Sequence, residues 1–163
     1  MSTHLNLNLA AENLAHYLRS QHAQLVTAES CTGGWLAQCI TEIAGSSAWF
    51  DRGFITYSNA SKVDMLKVDH STLEQYGAVS AEVAAQMTQG ALGNSLAEYA
   101  IAITGVAGPT GGSKEKPVGT VFIACQKRQA AAHVILEHFT GDRYAVRQQA
   151  VYTALQLIPS LSL

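Results

Sequence analysis

The chain is short of charge, cysteine and proline, and each shortage narrows what it can be. Charged residues make up 13% of its 163 residues and leave a net charge of −2. That balance gives no positive field to draw nucleic acid or an anionic membrane surface. The three cysteines, Cys31, Cys39 and Cys125, are odd in number and lack the paired spacing of a metal knuckle. They read as reduced thiols of a cytoplasmic protein. No cluster of His, Cys, Asp and Glu has metal-ligand spacing, so neither a metal nor a cofactor is expected. The opening Met1-Ser2-Thr3-His4-Leu5-Asn6 has no basic segment followed by an apolar one, and no apolar run could span a bilayer. Repeats, low-complexity tracts and linkers are also missing. What the chain has is hydrophobic residues, 48% of the total, enough to give one domain over residues 1–163 a sizeable core.

Periodicity orders that apolar content. Leu7, Ala11, Leu14 and Leu18 recur at helical spacing, and Leu25 to Ala28 reads as a short buried strand. Leu36, Ile40 and Ile43 line a second helix, which Gly45 is expected to end. Trp49 to Ser58 reads as a strand and Ala60 to Val68 as a short helix. Ser80 opens a helix carrying Val83, Met87 and Ala91, and Tyr99 to Thr104 is a strand running into a glycine-rich loop. Val118 to Cys125 and His133 to Phe139 form a hairpin, and Gly141-Asp142 caps a last helix that Pro159 stops. Helices alternating with strands, with a late hairpin, predict an α/β fold: a three-layer α/β/α domain with a mixed sheet.

Sites in such folds gather at strand carboxyl ends, where Glu29-Ser30, Tyr57-Ser58 and Thr104-Gly105 fall. Ser30 stands at a strand-to-helix corner followed by Gly33 and Gly34. It reads either as a nucleophile beside free N–H groups or, with Thr32, as a helix cap. None of the six histidines lies at an expected strand carboxyl end, His70 falling in a loop, so a Ser-His-Asp triad fits poorly. Lys62, just behind Tyr57, is a base if burial depresses its pKa and a surface lysine if not. Tyr57 is a proton relay or a core tyrosine. The loop holding Gly105, Gly108, Gly111 and Gly112 is neither a Walker loop nor G-x-G-x-x-G. It suits a ligand loop or a mobile connection. Arg143 and Arg147, one turn apart in the last helix, suit an anion such as phosphate or salt bridges.

Seven ordered stretches carry a resemblance: Thr27-Ala28-Glu29-Ser30-Cys31-Thr32-Gly33-Gly34, Gly45-Ser46-Ser47, Gly53-Phe54-Ile55-Thr56-Tyr57-Ser58-Asn59 with Lys62, Gly77-Ala78-Val79-Ser80, Thr104-Gly105-Val106-Ala107-Gly108-Pro109, Lys116-Pro117-Val118-Gly119-Thr120-Val121, and Gly141-Asp142-Arg143 with Arg147. From about residue 8 to residue 157 the chain resembles the CinA C-terminal domain family, called PncC where the domain stands alone. The resemblance implies a metal-free nicotinamide-nucleotide amidohydrolase, converting nicotinamide mononucleotide and water to nicotinate mononucleotide and ammonia in pyridine-nucleotide recycling. It implies Ser30 as nucleophile, Lys62 as base and Tyr57 as helper. Ser47 and Thr104 would be further polar groups of the site, and the loop from Gly105 to Gly112 would hold the ligand. In larger relatives the domain follows a molybdopterin-binding-like domain. The oxyanion would be met by N–H groups at the helix start after Thr32, and the phosphate by Arg143 and Arg147. Gly33 and Gly34 would clear room for the carboxamide. The family also implies a homodimer or higher homo-oligomer, with Trp35 and Trp49 available to a buried face. The alternative is a catalytically silent nucleotide-binding module of the same fold.

Overall fold

The computed structural model of the chain describes residues 5–163, so Met1-Ser2-Thr3-His4 lies outside the described residues, and His4 with it. In chain order these form α1 (Leu7–Ser20), β1 (Leu25–Glu29), α2 (Trp35–Thr41), a 3-10 turn (Ser46–Ala48), β2 (Phe50–Ile55), α3 (Asn59–Leu66), α4 (His70–Tyr76), α5 (Ala81–Gly93), β3 (Tyr99–Gly105), β4 (Thr120–Lys127), β5 (His133–His138) and α6 (Arg143–Leu161). The five strands lie in the order β2-β1-β3-β4-β5. β1 is parallel to β2 and β3, whereas β4 is antiparallel to both β3 and β5. The mixed α/β sheet thus sends β1, β2, β3 and β5 out at one edge, and the chain re-enters β4 there at Thr120.

Strand alternation assigns the layers. Tyr99, Ile101 and Ile103 of β3 face a core shared with α1, α2 and α6, while Ala100 and Ala102 face one shared with α5, Leu66 and Leu73. Bulk on one face and alanine on the other let α5 lie close to the sheet. Trp49 is fully buried in the first of these cores and cannot serve an interface.

Two caps form as the sequence leads one to expect: Ser80 accepts from Val83 N–H and Asp142 from Ala145 N–H. Other boundaries differ. Gly45 does not end α2, which stops at Thr41; it adopts φ 78° to open the 3-10 turn instead. β2 is shorter than Trp49–Ser58, because Ser58 leaves the sheet to cap α3 by accepting from Ser61 N–H. β4 starts at Thr120, since Gly119 (φ 96°) sits in a turn closed by Thr120 N–H to Pro117 C=O. His70 opens α4 rather than lying in a loop. Pro159 does not stop α6: it lies within the final turn, where the bond it cannot donate is one of the last of the helix, which runs on to Leu161.

Candidate active site

The corner after β1 is built by a residue that the motif reading gave no role. Glu29 ends a strand buried along its whole length and is itself only 1% exposed. A buried carboxylate must find donors, and Glu29 finds them across the turn that follows. Its Oε1 accepts from Thr32 Oγ1 at 2.7 Å and from Leu36 N–H at 2.9 Å, and its Oε2 accepts from Ala37 N–H at 3.1 Å. Glu29 therefore caps α2; neither Ser30 nor Thr32 does, and Gly34 at the N-cap position offers no side chain. The N–H groups at the start of α2 are consequently taken and not available to an oxyanion, contrary to the sequence reading. Gly33 and Gly34 are needed for the left-handed backbone of the turn, at φ 58° and 102°.

Ser30, at the mouth of that turn, directs its hydroxyl to Lys62. The Lys62 Nζ to Ser30 Oγ distance is 2.9 Å. Lys62 lies one turn into α3, and helical side chains lean toward the N-terminus of their helix. This carries Nζ back over the chain leaving β2, where it donates to Thr56 C=O at 2.6 Å and lies 3.4 Å from Tyr57 C=O. Lys62 is 1% exposed and is paired with no carboxylate among the described residues, whose ion pair is Arg52–Asp51. Burial pushes its amine down to about 8. An amine neutral at that position keeps two N–H groups for the carbonyls and turns its lone pair to the Ser30 hydroxyl, the arrangement a general base requires. Cys31, next in the chain, has its thiol pushed up to about 11 by burial. It stays protonated where Lys62 is neutral, so no thiolate competes with the serine.

Ser30, Cys31 and Lys62 line a cleft of about 360 Å³ together with Tyr57, Ala78, Val79, Thr104, Gly105, Val106, Ala107, Gly108, Thr110 and Arg143. Thr104 donates its hydroxyl to Ala78 C=O at 2.8 Å and so fixes the loop before α5 as one wall. Tyr57 takes part differently from the relay expected of it. Its carbonyl faces Lys62, while the residue is 63% exposed and its phenol oxygen accepts from Arg143 at 3.2 Å. Arg143 also donates to Gly108 C=O at 2.7 Å, leaving further guanidinium N–H groups for an anion. Ile103 C=O accepts from Ser30 N–H, so Gly105, two residues on, turns its own N–H to the same side, beyond the end of β1.

Several expected site residues lie elsewhere. Arg147 sits behind the turn, where Nε donates to Cys31 C=O at 3.0 Å and Nη2 to Thr32 C=O at 3.1 Å. With Gly33 and Gly34 it lines a separate open groove. Ser47 is exposed in the 3-10 turn leading into β2, at the opposite end of the sheet, where Leu25 N–H bonds Trp49 C=O. Gly112 packs beside Lys116 and Val118 outside the cleft. His138 does end a strand on the site's edge, but two strands beyond β3, and its ring meets Thr120 at 3.4 Å. Sequence reasoning missed Glu29, whose signal was a charge at the end of an otherwise buried strand, and Thr56, which acts through its main chain and leaves no signal. Among the described residues no group of His, Cys, Asp or Glu side chains is placed to hold a metal ion, and no helix is long and apolar enough to cross a membrane.

Residues 7–161 match the model of the CinA C-terminal domain. The nicotinamide-nucleotide amidohydrolase PncC of Escherichia coli K12 is 52% identical over 148 residues, which are 91% of this chain and 90% of that protein. A CinA-like protein of Geotalea daltonii is 50% identical over 87% of this chain, a match that occupies 34% of its own length. The crystal structure of the competence/damage inducible protein CihA from Agrobacterium tumefaciens superposes with a TM-score of 0.93 at 44% identity, covering 96% of both chains. The five-stranded mixed sheet with helices on both faces is thus shared with these proteins, and the chain belongs to the CinA C-terminal domain family.

Proposed function

We propose that the chain is a nicotinamide-nucleotide amidohydrolase, hydrolysing nicotinamide mononucleotide to nicotinate mononucleotide and ammonia in pyridine-nucleotide recycling. The observation that carries the reading is the contact of 2.9 Å between Ser30 Oγ and the Nζ of a buried lysine without a carboxylate partner. The PncC name of a relative 52% identical supports the substrate.

In the reaction, Lys62 takes the Ser30 hydroxyl proton as Oγ bonds to the carboxamide carbon, and the carbonyl π electrons move to oxygen. The N–H group of Gly105, rather than those of Leu36 and Ala37, receives the oxyanion. Its collapse breaks the C–N bond, and Lys62 returns the proton to the departing nitrogen, giving ammonia and a Ser30 ester. Water, deprotonated by Lys62, attacks the ester; the acid leaves as nicotinate and Ser30 recovers its proton. Arg143 holds the substrate phosphate. The family also carries the expectation of a homo-oligomer.

Ammonia release from nicotinamide mononucleotide by the purified protein tests the reading. Wild type releases it and Ser30→Ala does not. Equal turnover by Ser30→Ala removes the covalent route, and binding of the mononucleotide without ammonia release by wild type leaves only the silent binding module.

A further inference from the structure

We infer that Glu29 and Arg147 are positioning residues that hold the turn Ser30–Gly34 from its two sides, so that Ser30 Oγ stays in line with Lys62 Nζ; this rests on the reading of Ser30 as nucleophile. The turn needs holding. Two successive glycines give it backbone freedom, and its internal bonds are two short ones, Gly33 N–H to Ser30 C=O and Trp35 N–H to Thr32 C=O, each at 3.1 Å.

From the inside, the Glu29 carboxylate gathers the Thr32 hydroxyl and the Leu36 and Ala37 N–H groups. Capping alone does not account for this. A serine or asparagine at the N-cap position satisfies the first N–H groups of a helix without burying a charge, whereas a carboxylate taken out of water must first recover its lost hydration through its bonds. Reaching from β1 across the turn does what a local cap cannot, because it ties together both ends of the segment that carries Ser30. Glu29 anchors the base as well. Its C=O accepts from Thr56 N–H at 2.8 Å, and Thr56 C=O in turn accepts from Lys62 Nζ. One residue therefore fixes nucleophile and base against each other, its carboxylate through the turn and its carbonyl through Thr56.

From the outside, the Arg147 fork takes the carbonyls of Cys31 and Thr32, the two residues after the nucleophile. Its guanidinium lies 5.3 Å from the Trp35 ring centroid, which keeps the fork in place. Donor groups of the turn are thus satisfied by Glu29 and acceptor groups by Arg147, and neither side chain lines the Ser30 cleft.

Glu29→Gln is nearly isosteric but puts an NH₂ group where only donors converge. It should lower kcat for ammonia release on the order of 10²-fold, the effect of a small misplacement of reacting atoms, with KM within about twofold of wild type. The Leu36 and Ala37 amides should exchange hydrogen faster. Arg147→Leu and Arg147→Lys should lower kcat in the same way, since lysine keeps the charge but not the fork. Wild-type kcat in Glu29→Gln overturns the inference. So does a raised KM at unchanged kcat in Arg147→Leu, the signature of a phosphate ligand. If Glu29→Gln does not fold by circular dichroism, Thr32→Val and Arg147→Lys decide, and wild-type kcat in both overturns it. If wild type itself releases no ammonia, the amidohydrolase reading falls. The exchange rates of Leu36 and Ala37 in Glu29→Gln then decide the brace by themselves, and unchanged rates overturn it.

Discussion

A lysine sealed from water between two carbonyl groups and a serine is costly to keep charged, and Lys62 yields by titrating early. Burial brings its amine from the ordinary 10.5 down to about 8. As the base for Ser30 it must be neutral, so kcat/KM for the mononucleotide rises with pH and levels above about 8. The pyridinium of bound substrate moves the midpoint of kcat below that of kcat/KM. Lys62→Met should lose on the order of 10²-fold or more in turnover. Stability has its own sign. Below about 8 both folded and unfolded chains bind the proton and the cost of burial is full. Between about 8 and 10.5 only the unfolded chain binds it, so wild type gains stability with rising pH. Urea unfolding should therefore find Lys62→Met most favoured relative to wild type at pH 7, with the difference shrinking by on the order of 3 kcal/mol toward pH 10.5. A pH-independent difference would mean that Lys62 titrates normally. Ser30 and Lys62 were legible in the sequence because each is a reactive side chain beside a strand end. The partners that tune them, Thr56 C=O and Tyr57 C=O, are main-chain groups and leave no mark in residue type.

At the scale of elements, the packing of α5 on its neighbours is set by where a methyl group fits. Glycine within a helix ordinarily costs up to about 1 kcal/mol relative to alanine, so glycine to alanine in α5 should stabilise wherever there is room. At Gly93 a Cβ meets nothing within 4 Å. At Gly90 it would collide with the Leu66 C=O oxygen, a main-chain atom at the end of α3 that cannot swing aside. The same substitution should thus act in opposite directions three residues apart. Gly93→Ala should gain a few tenths of a kcal/mol, up to about 1, and Gly90→Ala should lose about 1–3. Urea midpoints at constant m-value measure both, and equal signs would refute the close approach of α3 to α5. Local chemistry made the Ser80 and Asp142 caps readable, since a cap three residues from its donor is written in adjacent sequence. The Glu29 cap was not readable, because its acceptor reaches from the preceding strand to donors seven and eight residues on. α4 escaped because only Leu73 of its seven residues is buried, too little to make a period.

The whole molecule brings residues from β1, the chain after β2, α3, β3 and α6 to one edge of the sheet, and that convergence separates two arginines that the sequence treats alike. Arg143 and Arg147 share a face of α6 by their spacing, and both suit a phosphate on that ground. The helix crosses the site with its first residue over the cleft and its second turn behind the Ser30 corner, so Arg143 faces Tyr57 and Gly108 while Arg147 faces Cys31 and Thr32. Ser47 illustrates the same limit from the other side: a motif can match while the fold sets it at the far end of a strand. The alternation of helices and strands identified the layers, but only three-dimensional closure could choose between the arginines. Arg143 then has a distinct signature. Charge-assisted bonds to an anion contribute about 1.5–3 kcal/mol, so Arg143→Met should raise KM for nicotinamide mononucleotide by roughly 10–150-fold and leave kcat within a few-fold, because the lost contact is made equally in ground and transition states. Nicotinamide riboside, with the same ring and sugar but no phosphate, should be hydrolysed poorly by wild type and no worse by Arg143→Met. Should Arg143→Met instead depress kcat for both substrates alike, its bonds to Tyr57 and Gly108 would be shaping the cleft, and the phosphate would be held by some other group.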